Sequence, residues 1–161
     1  MSAAERALAA LKRSHAHVSF AESLTGGLIA ATLISLSGAS EVINESYVTY
    51  SPEAKIRLVH VNPETPEREG VVSARCAAEM AEGVRKVSGA QWGASATGLA
   101  GPGGGTKATP VGTVFIAVAG GDQTRVRELH LSGSRGEIRQ RTAEEVLGLL
   151  ADTTEQKGAC L

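Results

Sequence analysis

The spacing of apolar residues changes repeatedly along the chain, and each change marks an element. Residues 3 to 14 carry apolar positions at helical spacing, with Leu8 and Leu11 on one face. VSFAES (18–23) is strand-like, and the Ala/Leu-rich LTGGLIAATLISL (24–36) predicts a helix stopped by SGAS. VINESYVTY (42–50) is rich in β-branched and aromatic residues and predicts a strand. A short helix then starts at Ser51-Pro52, where serine suits an N-cap and proline the first turn.

VNPETPEREG (61–70), with two prolines, predicts a surface loop. Residues 73 to 88 predict another helix, with Ser73 as its cap. QWGASAT (91–97) and GTVFIAVAG (112–120) have the continuous apolar character of buried strands, while TRVRELHL (124–131) alternates like an edge strand. SRGEIRQRTAEEVLGLLADTTEQ closes the pattern as a long helix with a charged exposed face. Strands alternating with helices argue for an α/β fold, and the 112–120/124–131 hairpin makes the sheet mixed. The expected architecture is a single-domain, three-layer α/β/α fold with a mixed, mostly parallel sheet. Its core spans about residues 5 to 150 and is followed by a frayed tail.

Length and composition tighten this picture. A chain of 161 residues suits one compact domain, and 42% apolar residues can fill its interior. Aromatics are only 3%, so that interior must be built from Ala, Val, Leu and Ile. A net charge of −1 argues against nucleic acid as a direct partner, because a phosphate backbone favours a basic face. Cys76 and Cys160 are far apart and fit no metal spacing; free thiols in a cytoplasmic chain are the simplest account. Charges interrupt the first helix, unlike a signal peptide. No apolar run reaches the roughly 18 residues of a membrane span. Nothing here fixes the assembly, and a homodimer stays open.

ATGLAGPGGGTK (96–107) has the glycine content of a ligand-cradling loop, set between two strands rather than in a linker. The order Gly105-Thr106-Lys107, followed by Pro110 and a strand, does not match a P-loop, and no G-x-G-x-x-G occurs. Anion binding by backbone N–H groups remains; triphosphate hydrolysis does not.

Ligands of open α/β sheets gather beyond the carboxyl ends of the strands. Two hydroxyls fall there, Ser23 and Thr97. Ser23 precedes Gly26-Gly27 at a helix start, which suits an oxyanion or phosphate, although Ser23 or Thr25 could equally be a cap. The four histidines form no evident triad. Lys55, flanked by apolar residues, can serve as a base if burial lowers its pKa. Tyr50 and Lys55 bracket one strand-to-helix turn. Ser51 is a competing nucleophile, more naturally a cap, and a lone lysine is most often solvated.

FAESLTGG, VTYSPEAK, GVVS, ATGLAGPGGGTKATPVGTVFIAV and GSRGEIRQRT occur in this order. Together they resemble the CinA carboxyl-terminal domain family, the stand-alone nicotinamide-nucleotide amidohydrolases of PncC type, over residues 5 to 150. The resemblance implies hydrolysis of the carboxamide of nicotinamide mononucleotide to nicotinate mononucleotide and ammonia, with no metal or other cofactor. It implies Ser23 as nucleophile, Lys55 as base and Tyr50 assisting. Thr25, Gly26, Gly27, Thr97, Gly98, Gly101, Gly103 and Gly104 would contact the substrate, and Arg135 and Arg139 its phosphate. Pro52 and Ser134 depart from the asparagine and aspartate usual at their positions. The alternative is a non-catalytic domain that binds pyridine nucleotides or regulates competence or DNA-damage responses.

Overall fold

The computed structural model describes residues 1–158. Five strands, β1 (Val18–Glu22), β2 (Ile43–Val48), β3 (Trp92–Gly98), β4 (Thr113–Gly120) and β5 (Gln123–His130), form one sheet in the order β2-β1-β3-β4-β5. β1 pairs in parallel with β2 and β3, while β4 is antiparallel to both β3 and β5. Four of the five strands therefore point the same way, as a mixed, mostly parallel sheet requires.

Helices cover both faces. α1 (Ala3–Arg13), α2 (Leu28–Ile34) and α6 (Arg135–Gly158) pack on one side. α3 (Pro52–Val59), α4 (Thr65–Arg68) and α5 (Ala74–Ser88) pack on the other. The period-two alternation of β1 divides its residues between these layers. Val18 and Phe20 enter the core beneath α1, α2 and α6, whereas Ala21 faces the α5 side. Phe20, aligned with Ala94 and Val118 across the sheet, is fully buried. Small residues on the α5 side, Ala77, Ala81, Ala117 and Ala119, let helix and sheet approach closely in a core almost without aromatics.

Three boundaries differ from the sequence expectation. The helix expected over 24–36 occupies only Leu28–Ile34, because Gly26 and Gly27 take positive φ (56° and 102°) and keep the preceding residues in a turn. The expected loop 61–70 contains α4, one turn that starts with Thr65-Pro66. α6 runs on to Gly158, beyond the core limit expected near 150; Cys160 lies outside the described residues. The predicted starts at Ser51 and Ser73 hold: their side chains accept from the backbone N–H of Ala54 and Cys76.

Candidate active site

Beyond the carboxyl ends of β1 and β3 lies a cleft of about 200 Å³, lined by Ser23, Tyr50, Lys55, Thr97, Gly101 and Arg135 among others. A larger hollow, about 430 Å³, opens at the opposite end of the sheet beside Trp92, Gly121 and Lys157. Its lining contains no serine, cysteine or histidine, whereas Ser23 and Lys55 lie together in the smaller cleft.

Ser23 is the first residue after β1, and Lys55 sits in the first turn and a half of α3. The two elements meet because β1 pairs with β2, and the Thr49 N–H closes the gap by donating to Glu22 O at 2.8 Å. Lys55 is only 1% exposed. Its Nζ donates to Thr49 O at 2.6 Å and to Ser23 Oγ at 3.0 Å, and it pairs with no carboxylate among the described residues. Burial without a counter-ion lowers the pKa of the amine, opposed only in part by the nearby Cys76 thiol. Burial also pushes that thiol up, to about 11. A neutral amine has two N–H groups and one lone pair. With an N–H directed to the Thr49 carbonyl, the lone pair can take the Ser23 proton.

The turn that carries Ser23 is capped in an unexpected way. Gly27 stands at the N-cap of α2 and offers no side chain. Glu22, fully buried at the end of β1, supplies the cap instead. Its carboxylate accepts from the N–H groups of Gly27, Ile29 and Ala30 at 2.9, 3.1 and 3.0 Å, and from Ser46 Oγ at 3.3 Å. Neither Ser23 nor Thr25 is the cap: Ser23 faces Lys55, and the buried Thr25 Oγ1 has no hydrogen-bond partner among the described residues.

The remaining residues singled out in the sequence divide between cleft and frame. Thr97 lines the cleft, but its hydroxyl proton is committed to Val71 O at 2.7 Å. Gly98, Gly101 and Gly103 belong to the lining; Thr25, Gly26, Gly27 and Gly104 do not. Arg135 spans the mouth, donating to Gly101 O at 2.7 Å and to the Tyr50 hydroxyl at 3.2 Å. Tyr50 is 60% exposed, and its phenol meets Arg135 rather than Ser23 or Lys55. Arg139, four residues along α6, turns away from the lining and donates to the carbonyls of Leu24 and Thr25 at 2.8 and 3.1 Å. Ser51 caps α3, which answers its competing claim as nucleophile.

This combination of folded frame and motif order has clear relatives. The model of the CinA C-terminal domain matches residues 1–154. The chain belongs to the CinA C-terminal domain family. A Clostridium novyi protein named for competence-damage induction is 45% identical over 141 residues, covering 88% of this chain and 34% of its own length. A relative of the same name from Acetivibrio thermocellus is 51% identical over 125 residues, covering 78% of this chain and 30% of its own length. The chain thus spans about a third of the length of the curated relatives it matches. Among solved structures, the competence/damage inducible protein CihA of Agrobacterium tumefaciens superposes with a TM-score of 0.90 at 36% identity. That match covers 93% of this chain and 92% of CihA. A CinA superfamily protein of Klebsiella pneumoniae superposes with a TM-score of 0.91 at 28% identity, over 97% and 99% of the two chains.

Two features of this CinA domain went unrecognised in the sequence. Glu22 stands at an inward position of β1, in phase with Val18 and Phe20; a carboxylate ending an apolar stripe was the available signal. The Thr49 carbonyl, which holds the lysine, is a backbone group and leaves no residue signature. The two departures from the family pattern are both at helix starts. Pro52 opens α3, and Ser134 exchanges backbone-to-side-chain hydrogen bonds with Glu137 at the head of α6. Among the described residues, no group of three or more His, Cys, Asp and Glu is placed to hold a metal ion, and no helix is long and apolar enough to cross a membrane.

Proposed function

We propose that the cleft hydrolyses the carboxamide of nicotinamide mononucleotide through an acyl-enzyme on Ser23. The observation that carries this reading is the buried contact, 3.0 Å, between Lys55 Nζ and Ser23 Oγ. The choice of substrate rests on the resemblance of the AES-x-TGG and G-x-AGPGGG segments to the amidohydrolase branch of the family. Neutral Lys55 takes the Ser23 proton while Oγ attacks the carboxamide carbon. Collapse of the tetrahedral adduct breaks the C–N bond, and Lys55 returns the proton to the departing ammonia. Water, deprotonated by the same amine, then cleaves the ester and frees nicotinate mononucleotide.

Arg135 at the mouth is the cation for the substrate phosphate, and Tyr50 works beside it rather than in proton transfer. The expected setting is cytoplasmic, and no resident cofactor is required.

Incubation with nicotinamide mononucleotide should release ammonia and nicotinate mononucleotide in equal amounts, and exhaustive EDTA treatment should leave the rate intact. Ser23→Ala should remain folded and lose about 10⁴-fold or more in kcat. Near-normal turnover in that variant would sink the assignment. The relatives are named for competence or damage induction, which favours a second reading, a regulatory domain without turnover; its binding of a pyridine nucleotide would rest on the family resemblance alone. Saturable binding by the wild type with no ammonia release would support it.

A further inference from the structure

We propose that Arg139 is a positioning residue for Ser23. Its guanidinium holds the backbone of the nucleophile turn in place and does not contact the substrate phosphate. The inference rests on the reading of Ser23 as nucleophile.

The turn between β1 and α2 is held from two sides. From the α2 side, Glu22 fixes the amides of Gly27, Ile29 and Ala30. From the α6 side, Arg139 Nε donates to Leu24 O at 2.8 Å and Nη2 donates to Thr25 O at 3.1 Å. A guanidinium receives a phosphate best along one edge, with two parallel N–H groups. The Nε–Nη2 edge of Arg139 is spent on the two residues that follow Ser23. Gly26 makes room for it: its φ is +56°, and a Cβ there would stand 3.2 Å from Arg139 Nη2. Arg135 differs in kind, since it lines the cleft and reaches across its mouth.

The clamp has a chemical consequence. A trans peptide points its C=O and N–H in opposite directions. Drawing the Leu24 carbonyl toward α6 therefore turns the Thr25 N–H away from it. The Gly26 N–H is committed to Ser23 O at 3.1 Å. The Leu24 and Thr25 N–H groups donate to no acceptor among the described residues, although both residues are buried. Leu24 lines the cleft and Thr25 follows it just outside the lining, so these two N–H groups after the nucleophile are where a tetrahedral oxyanion would find donors. A charge-assisted bond to the Leu24 carbonyl also polarises that peptide and strengthens its N–H as a donor.

The test compares Arg139→Gln, Arg139→Lys and Arg135→Ala on nicotinamide mononucleotide and on its phosphate-free riboside. Sulfonylation of Ser23 by phenylmethylsulfonyl fluoride gives a substrate-free readout, with Ser23→Ala as the blank. Arg139→Gln should lower kcat by about 10²-fold, as loss of an oxyanion donor does, with KM nearly unchanged. It should lose equally on both substrates and slow sulfonylation in parallel. Arg139→Lys, which reaches one carbonyl at a time, should fall between Gln and wild type and covers the case in which Gln does not fold. Arg135→Ala should instead raise KM for the mononucleotide alone. A rise in mononucleotide KM with normal sulfonylation in the Arg139 variants would overturn the proposal and make Arg139 a phosphate ligand; no change on any readout would overturn it as well. Wild-type protein that neither turns over the mononucleotide nor labels at Ser23 would refute the underlying amidase reading instead.

Discussion

On one flank of Ser23, the buried Glu22 carboxylate accepts from three backbone amides and a serine hydroxyl. On the other, the buried Lys55 amine meets one carbonyl and Ser23 itself, with no carboxylate among the described residues. Both side chains are among the largest that the fold buries completely. Desolvating an ionisable group is costly unless its hydrogen bonds are replaced. Glu22 has that replacement, so its burial holds a strand, a turn and a helix together. Lys55 has two hydrogen bonds but no counter-charge, so its burial is expressed as a lowered pKa, the state that the proposed mechanism asks of a base. Compensated burial gives structure here, and in the proposed mechanism uncompensated burial gives reactivity.

The contrast breaks most sharply at Lys55. Lys55→Met should reduce ammonia release by about 10³-fold or more while the melting temperature holds or rises, because an apolar side chain of similar length suits the site better than an unpaired amine. A melting temperature that falls as far as that of a Glu22 variant would remove the distinction. Glu22→Ala should do the reverse in kind, costing about 3 kcal/mol in urea unfolding because three helix-start amides lose their acceptor. Glu22→Gln, which keeps one good acceptor oxygen, should cost less than Ala.

A pH series sharpens the same comparison. kcat/KM should rise with pH through an apparent pKa below the ordinary lysine value of 10.5, as Lys55 loses its proton. Stability should move in the same direction. Between the lowered folded pKa and 10.5 the unfolded chain binds the extra proton, so the burial penalty, complete at lower pH, is relieved as pH rises. Lys55→Met should flatten that window in urea titrations. The smallest effect belongs to Cys76. Its thiol is held neutral up to about 11, so Cys76→Ala should move the rising limb of kcat/KM by no more than about 0.3 units. A larger movement would show that the thiol, and not burial alone, sets the state of the amine.

The elements that were legible in the sequence were those whose causes are local. Ser51-Pro52 and Ser73 marked helix starts through their own side chains, and the β4–β5 hairpin followed from two adjacent strand patterns. Ser23 and Lys55 were legible as candidates from their places at strand ends, and the structure brings them into contact. What escaped was decided at a distance. The start of α2 is set by a carboxylate before the turn, so the Ala/Leu-rich run extended the expected helix backward through Gly26 and Gly27. Arg135 and Arg139 have the spacing of neighbours on one helical face, but a guanidinium on a long stem takes the acceptors that tertiary packing presents. Tyr50 and Lys55, which bracket one strand-to-helix turn, do line the same cleft, but the partner of the Tyr50 hydroxyl, Arg135, lies 85 positions away and left no local signal.

Ser23 and Lys55 are separated by 32 positions in the chain and hang from two different strands. Until β1 and β2 are zipped together, nothing dehydrates the lysine or holds it against Ser23. The bond from the Thr49 N–H to Glu22 O fastens the last rung of that zipper, and its own carbonyl is the one that receives Nζ. The proposed base therefore exists only in the folded chain, where dehydration accompanies closure of the rung. On the proposed mechanism, an unfolded chain carries every residue of the machinery and none of its reactivity.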